Sequence, residues 1–335
     1  MDQEIRERIS IIRYLMVIGI IVLHAPPFEP LGEIPQTPLG YIKAFFSHAV
    51  FRATVPMLTV ISGFLVFQSD LSGKFKKLIK KKFFSIFIPM IIWNTPFALL
   101  IFFSQKYFII EHEFSETLYP VSFLSWINAI TGFLGNPANY PLNFLRDLFA
   151  VFFFTPLFRL LLKFSSWAGL FIVLSIYYWN LDGILVLRNS MLVSFYLGGM
   201  ASYCGWNLKL LDRFSILFLF FLIIICMLIV LFKIENIQWF RLVSPILIWP
   251  ATSLIHGNPV GHLLYCYSGN SFFTFLSHGP LLFLLWVGFQ KLPDAIPYFI
   301  FYILAPIIIV YLSIILNQIL QKKLPNFRLL LLGGR

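Results

Sequence analysis

The first hydrophobic stretch of the chain contains two residues whose side chains can do chemistry, Arg13 and His24. They lie eleven residues apart, which is about 16 Å along one α-helix. Ionisable side chains inside a membrane span are costly and usually face a cavity or a pathway. A neutral imidazole can take a proton from a hydroxyl and return it to a leaving group. We therefore expect Arg13 at one membrane face and His24 deep toward the other, with an interfacial anchor as the alternative role for Arg13.

A second set of polar residues lies in and beside the next hydrophobic stretch, at positions 51–68. Ser62 and Gly63 are small neighbours of the kind that let two membrane helices approach closely, so packing is the simplest interpretation of this pair. Pro56 is expected to bend or open the helix near its outer end. Arg52 lies at the outer end of the stretch, just before Val55-Pro56, and its type fits an interfacial anchor and an anion contact equally well.

A third and a fourth group follow later in the chain. Arg146 and Asp147 are adjacent, so on a helix their side chains point about 100° apart and we do not expect them simply to pair with each other. Both are either solvated at the interface or turned inward. In the second case Asp147 would orient His24, and Arg146 would bind an anionic group or steady an oxyanion. His278 is a second histidine inside an apolar stretch, where a hydrogen bond between helices is the main alternative to a site role.

The composition places these residues in a membrane protein. Of 335 residues, 59% are hydrophobic and 12% are charged, and the mean hydropathy is +0.85, which excludes a soluble globular chain. Hydrophobic windows of about 20 residues recur throughout, as spanning helices require. We predict an all-α polytopic transmembrane helix bundle of about ten spans, forming one domain over residues 1–335. The predicted spans are 11–26, 51–68, 83–104, 142–162, 166–181, 188–205, 214–233, 241–256, 271–290 and 296–319. The three cysteines lack metal-ligand spacing, so no metal site is predicted.

The placement of charge predicts the topology. The net charge is +11, and a short lysine-rich loop at 74–82 and basic residues near both termini form three positive regions that the positive-inside rule assigns to the cytoplasm. A short basic loop held between two spans is expected to anchor the protein to the inner leaflet or to bind a phosphate-bearing cofactor. It is less suited to binding a nucleic acid, so no nucleic-acid partner is expected. The outer loop at 105–140 carries Glu111, Glu113 and Glu116. This pattern indicates a multi-pass protein of the inner (plasma) membrane.

In this order, these segments resemble the acyltransferase-3 family of integral-membrane acyltransferases, which includes O-acetyltransferases of surface glycans. The matching features are Arg13-x10-His24, Val55-Pro…Ser62-Gly-Phe64, the lysine-rich start of the third span ending in Pro89, Asn143-Phe-Leu-Arg146 and Ser271-Phe-Phe…His278. The chain departs from the family where Arg-x-x-Arg often stands, since it has Lys81-Lys82-Phe-Phe-Ser85. Lysine keeps the positive charge there but not bidentate phosphate recognition. Asn143-Phe-Leu also replaces the more common Trp-Phe-Leu.

The resemblance implies an enzyme that transfers an acyl group, most simply acetyl, from cytoplasmic acyl-CoA to a saccharide hydroxyl presented from the outer side. Acetyl-CoA would be a co-substrate rather than a permanently bound cofactor. His24, Asp147 and Arg146 would be the catalytic residues. The cofactor-binding residues would be Arg13, Lys80, Lys81, Lys82 and Ser62, and the substrate-binding residues Arg52 and His278. Either Arg146 or the Ser62 hydroxyl would stabilise the oxyanion.

The expected partners are acyl-CoA, a polysaccharide or lipid-linked glycan acceptor, and the lipid bilayer. The sequence leaves open whether the chain also joins a polysaccharide-synthesis complex or a homo-oligomer. Two other functions remain as alternatives. A transporter or flippase of lipid-linked saccharides would use the same polar residues without covalent chemistry, and a non-catalytic assembly partner would not depend on His24.

Overall fold

The computed structural model describes residues 1–69, 71–107, 116–181, 183, 185–292 and 296–334. Within those ranges the chain is helical and contains no β-strand, which confirms the predicted all-α class. The α-helices, in chain order, are α1 Gln3–Leu23, α2 Pro38–Ala44, α3 Thr54–Gln68, α4 Phe75–Lys82, α5 Ile88–Tyr107, α6 Phe123–Thr131, α7 Asn143–Phe153, α8 Thr155–Tyr178, α9 Ser190–Tyr203, α10 Ser215–Leu231, α11 Gln238–Ala251, α12 Pro259–Tyr267, α13 Ser271–Gln290, α14 Tyr298–Lys323 and α15 Pro325–Leu331. Glu111 and Glu113 lie outside the described residues.

Six helical stretches of the described chain are long and apolar enough to cross a membrane, and the protein is a multi-pass membrane protein. Short 3₁₀ or π segments join α2 to α3, α4 to α5 and α12 to α13, and the resulting continuous stretches are among the six. The others are α8, the stretch Asp212–Leu231 that contains α10, and α14. Ser165 has extended backbone inside α8 and divides it into two parts. The predicted count of about ten spans, which assumed about 20 apolar residues per crossing, stays a prediction.

The beginning of α1 is tied to the loops before α10 and after α11. Arg8 is completely buried, and its guanidinium donates to both carboxylate oxygens of Asp212, at 2.6 and 3.0 Å. It also donates to the Thr252 hydroxyl at 3.1 Å and the Trp249 carbonyl at 2.9 Å. Lys209 lies 2.5 Å from Asp2, and this hydrogen bond lowers the pKa of the Asp2 carboxyl. These contacts gather charged groups at one end of the bundle, which we call the amino-terminal face.

The other end of α1 is held by a different set of loop contacts. The Tyr298 hydroxyl donates to the Pro26 carbonyl at 2.9 Å, which joins the start of α14 to the end of α1. Lys43 is buried and pairs with Glu29 at 2.9 Å. Lys233, after α10, donates to the Gly32 carbonyl at 2.9 Å. We call this end the opposite face.

Helices α3 and α9 pack against each other through glycines. A Cβ added at Gly63 would lie 2.1 Å from the Phe195 carbonyl oxygen, and one added at Gly198 would lie 1.9 Å from the Val60 carbonyl oxygen. The two backbones can approach this closely only because neither glycine carries a side chain. The predicted packing role of the Ser62–Gly63 pair therefore matches the position of Gly63. Helix α3 also lines both of the cavities described next.

Candidate active site

One helix, α1, lines two separate cavities. Arg13 and Val17 contribute to a cavity of about 360 Å³, which we call the Arg13 cavity. Ile20 and His24 contribute to a second cavity of about 310 Å³, which we call the His24 cavity. The rise of an α-helix places Arg13 and His24 about 16 Å apart along the helix axis. The structure thus divides the two residues between two compartments of one bundle.

The two cavities meet at a pair of aromatic rings. Phe144 of α7 and Phe275 of α13 line both cavities. Their ring centroids are 5.7 Å apart with an interplanar angle of 78°, an edge-to-face arrangement that is favourable for phenyl rings. We call this pair the phenyl partition. Its apolar rings stand between a compartment lined by Arg13 and a compartment lined by His24.

His24 is held so that one ring nitrogen keeps a free lone pair. The side chain is half-buried at the end of α1, and its Nδ1 lies 2.9 Å from the Ile20 carbonyl oxygen. A carbonyl oxygen only accepts hydrogen bonds, so this contact assigns the proton to Nδ1 and leaves Nε2 unprotonated. Among the described residues no hydrogen bond to Nε2 is found. The imidazole is therefore in the tautomer that a general base needs.

His278 lies directly beside His24. The two ring centroids are 5.8 Å apart, and His278 is fully buried. Its Nδ1 lies 2.6 Å from the Phe275 carbonyl oxygen, which assigns the same tautomer by the same argument. Its Nε2 is buried and has no partner in the described part of the chain. His278 lines neither cavity, so it can reach a substrate only through a change of side-chain position.

The His24 cavity also contains three arginines. Arg52 lies in the 3₁₀ segment before α3, Arg188 in the loop two residues before α9, and Arg241 in α11, and all three line this cavity. Tyr140 stands beside His24 with a ring separation of 6.0 Å. Arg52 was expected to bind substrate, and the structure places it in the same compartment as His24. Arg188, Arg241 and Tyr140 are site residues that no sequence motif predicted.

The Arg13 cavity brings together three of the five residues expected to bind the cofactor. Arg13, Ser62 and Lys82 line it, together with Ser271. The Ser62 hydroxyl donates to the Leu58 carbonyl at 2.8 Å, so it must break this bond before it can donate to a ligand.

Of the lysines at the end of the lysine-rich segment, Lys82 lines the Arg13 cavity, whereas Lys80 and Lys81 lie on the surface. Lys82 also places its ammonium nitrogen 4.5 Å above the Phe152 ring. Lys80 and Lys81 lie on the exposed side of α4 and do not line the Arg13 cavity. They can therefore meet only the part of a ligand that extends out of this cavity.

Arg146 and Asp147 occupy positions different from those expected. The Arg146 guanidinium contacts an Asp147 carboxylate oxygen at 2.7 Å, so the prediction that the two do not pair is wrong. The Arg146 side chain is long enough to turn back across α7, where its Nε donates to the Gly132 carbonyl at 3.0 Å. Asp147 also accepts from the backbone amides of Leu187 and Arg188, at 3.3 and 3.1 Å. The pair fastens the loop before α9 to the start of α7.

This pairing also corrects the expected contact between Asp147 and His24. The Asp147 carboxylate is fully buried among its own partners, whereas the His24 Nδ1 proton is taken by the Ile20 carbonyl. Asp147 therefore does not orient His24 in this structure. Arg146 lines neither cavity, so it is not placed to steady an oxyanion there. In the described part of the chain, no three His, Cys, Asp or Glu side chains are grouped as metal ligands would be.

Comparison with known proteins shows which family the chain is similar to. A family model described as an acyltransferase domain matches residues 6–317. The succinoglycan biosynthesis protein ExoH of Rhizobium meliloti (strain 1021) is 28% identical over an alignment of 354 residues, which covers the whole chain and 94% of that relative. No solved structure matches the chain.

Proposed function

The chain belongs to the acyltransferase-3 family, as its motifs predict, and we propose that it transfers an acyl group between the two cavities. In this proposal, acyl-CoA enters the Arg13 cavity, and a hydroxyl of a surface or lipid-linked saccharide enters the His24 cavity. Acetyl is the simplest acyl group for this reaction. The observation that carries the proposal is the position of α1, which lines one compartment with Arg13 and the other with His24.

In this proposal, positively charged side chains bind the acyl donor, acyl-CoA. Arg13 makes no hydrogen bond to any described residue, so its guanidinium is available to a phosphate oxygen. Lys82 adds a second positive charge to the cavity, and the exposed Lys80 and Lys81 would meet the nucleotide end of acyl-CoA outside it. The thioester would then extend past Ser62 toward the phenyl partition. The Ser62 hydroxyl can turn from the Leu58 carbonyl to donate to the oxyanion.

The acceptor side rests on His24. Its unprotonated Nε2 takes the proton of the saccharide hydroxyl, and the resulting oxygen nucleophile attacks the thioester carbonyl carbon. The tetrahedral intermediate then collapses, the carbon–sulfur bond breaks, and the sulfur of CoA leaves as thiolate or takes up the proton. The acyl group ends as an ester on the saccharide. The acyl group crosses the phenyl partition in this scheme, whereas CoA stays in the Arg13 cavity.

The same proposal orients the protein in the plasma membrane. The positive-inside rule assigns the amino-terminal face to the cytoplasm. The contacts of Arg8 with Asp212 and of Lys209 with Asp2 support it, because they gather the amino terminus and the loop before α10 at one face. Acyl-CoA is then supplied from the cytoplasm and the saccharide from outside. The name of the relative, a succinoglycan biosynthesis protein, supports an exopolysaccharide or its lipid-linked precursor as the acceptor.

The test uses the full chain in nanodiscs, radiolabelled acetyl-CoA and a crude lipid-linked glycan fraction. His24→Asn is the informative variant, because an amide can still donate to the Ile20 carbonyl but has no counterpart of the Nε2 lone pair. We expect label transfer to fall by roughly 10²–10⁴-fold in this variant while acetyl-CoA binding is retained. His262→Ala is the matched control, since His262 is exposed on α12 and lines neither cavity.

Equal transfer by wild type and a folded His24→Asn protein would refute the role of His24. Absence of both transfer and donor binding with acetyl-CoA and succinyl-CoA would refute the enzyme and favour a transporter of lipid-linked saccharides. That transporter would move its substrate without consuming any acyl-CoA.

A further inference from the structure

The His24 cavity is lined by more positive charge than the proposed chemistry needs. Arg52, Arg188 and Arg241 come from three distant parts of the chain and meet in this one compartment. No Asp or Glu lines the cavity among the residues that the structure describes. Cationic groups inside a membrane domain are expensive unless a partner of opposite charge compensates them.

The protein itself provides little compensation. Arg188 lies 4.0 Å from an Asp147 carboxylate oxygen and donates to the Asn143 side chain. Asp147 is the same carboxylate that Arg146 contacts at 2.7 Å, so one negative charge is shared between two guanidinium groups. Arg188 therefore belongs partly to the structure of the loop before α9.

Arg52 and Arg241 have even fewer partners that could compensate their positive charge. The Nε of Arg52 is buried and has no hydrogen-bond partner within the described chain, and its guanidinium carbon lies 5.7 Å above the Phe28 ring. Arg241 makes no hydrogen bond or ion pair with any residue that the structure describes. The guanidinium groups of Arg52 and Arg241 are therefore available to donate hydrogen bonds to oxygen atoms of a ligand.

We infer that the His24 cavity binds an anionic group of the substrate, a carboxylate or a phosphate, through Arg52 and Arg241 beside Arg188. A guanidinium offers paired N–H donors that match the oxygens of either group. That this anion belongs to a substrate rests on the proposed acyl transfer. Two sources carry the same chemistry: the free carboxylate of a dicarboxylic acyl group, or an acidic group of the glycan acceptor or its lipid phosphate.

The anion would also assist the base. When His24 takes the proton from the hydroxyl, its imidazolium adds a fourth positive charge to a compartment that already holds three. A bound carboxylate or phosphate offsets that charge, because opposite charges interact strongly where water is scarce. A substrate that lacks the anionic group is therefore expected to show both a higher KM and a lower kcat than one that carries it.

The first arm of the test measures transfer with matched substrates. Full-length protein in nanodiscs receives labelled acetyl-CoA or succinyl-CoA, each with a neutral and with an acidic lipid-linked glycan. We expect the anionic substrate to be preferred, and the preference to fall roughly tenfold to hundredfold in Arg241→Gln and in Arg52→Gln. Arg241→Lys keeps the charge and is expected to retain part of the preference. Arg213→Gln is the control, because Arg213 is exposed near the amino-terminal face and lines neither cavity.

The pair of substrates that shows the preference identifies the source of the anion. A preference for succinyl over acetyl with the neutral glycan assigns the anion to the acyl group. A preference for the acidic over the neutral glycan with acetyl-CoA assigns it to the acceptor.

The second arm measures binding without turnover. Succinate and inorganic pyrophosphate serve as probes and dimethyl succinate as the uncharged control, with binding to wild type and Arg241→Gln read by native mass spectrometry. We expect a charged probe to bind wild type and to be lost from the variant. Transfer without preference, together with equal probe binding by wild type and Arg241→Gln, overturns the anion site and leaves the acyltransferase intact. Probe binding lost in Arg241→Gln, in a protein that neither transfers an acyl group nor binds acetyl-CoA or succinyl-CoA, supports the anion site and refutes the proposed function.

Discussion

A methyl group added at Gly198 is expected to force α3 and α9 apart. The Cβ of an alanine at this position would lie 1.9 Å from the Val60 carbonyl oxygen and 2.8 Å from the Phe64 backbone nitrogen. Both are backbone atoms of a packed helix, so neither can turn away as the end of a flexible side chain can. Because ordinary contact begins near 3.4 Å, the helices must separate locally by about 1.5 Å, a gap that weakens the contacts around it.

The cost of this separation sets the expected loss of stability. Overpacking of a well-packed interior typically costs about 1–3 kcal/mol. The alanine recovers only a part of this through its higher helix propensity, which is worth about 1 kcal/mol relative to glycine. We therefore expect Gly198→Ala to lower the free energy of unfolding by up to about 2 kcal/mol. Gly63→Ala, whose Cβ would meet the Phe195 carbonyl oxygen at 2.1 Å, should behave alike.

The measurement is thermal unfolding in detergent, followed by intrinsic fluorescence and by the fraction that stays monodisperse on size exclusion. Gly288→Ala is the matched control, because a Cβ added there would have no heavy atom within 4 Å beyond its chain neighbours and the adjacent backbone of its own helix. This control should leave the protein unchanged or stabilise it by about 0.4–1 kcal/mol. A Gly198→Ala protein that unfolds at the wild-type temperature would refute the claim that the α3–α9 seam depends on close backbone contact.

Three further variants test the site. Arg13→Lys keeps the charge but loses the bidentate fork, so acyl-CoA should bind roughly tenfold to hundredfold more weakly by equilibrium binding; unchanged affinity removes the phosphate role. Asp147→Asn removes the carboxylate shared by Arg146 and Arg188, so thermal unfolding should show a loss of about 3–5 kcal/mol, and a wild-type melting curve contradicts the structural role. His278→Asn keeps a donor for the Phe275 carbonyl but removes the unpartnered Nε2, and we expect a lower kcat at unchanged acyl-CoA affinity; wild-type kinetics would make His278 purely structural.

The features that could be predicted from the sequence are those that depend on residues close together in the chain. Long apolar stretches predict the membrane helices, and the spacing of Arg13 and His24 predicts that one helix carries both. The resemblance of these motifs to the acyltransferase-3 family is confirmed over residues 6–317. Arg241 was not predicted, although it is a lone cation within an apolar segment, and that pattern marks site residues in membrane proteins.

Other features depend on contacts between distant segments. Arg8 counts as one more basic residue near the amino terminus until Asp212, more than two hundred positions later, is folded onto it. No periodicity in the sequence predicts that three arginines, Arg52, Arg188 and Arg241, lie in one compartment. The partners of Asp147 were missed because its backbone donors lie in an irregular loop, and no helical or strand spacing predicts where such a loop will pack.

The phenyl partition has an electrical consequence. In the proposed orientation, two water-filled compartments separated by apolar rings would act as two conducting half-paths with an insulator between them, so that much of the membrane voltage would fall across Phe144 and Phe275. Moving one elementary charge through the full voltage is worth about 2.3 kcal/mol per 100 mV. In the proposed transfer, a neutral acyl group would cross without sensing this field. An acyl group that carries a carboxylate would leave a cytoplasm that is electrically negative, so the membrane potential itself would drive its transfer outward.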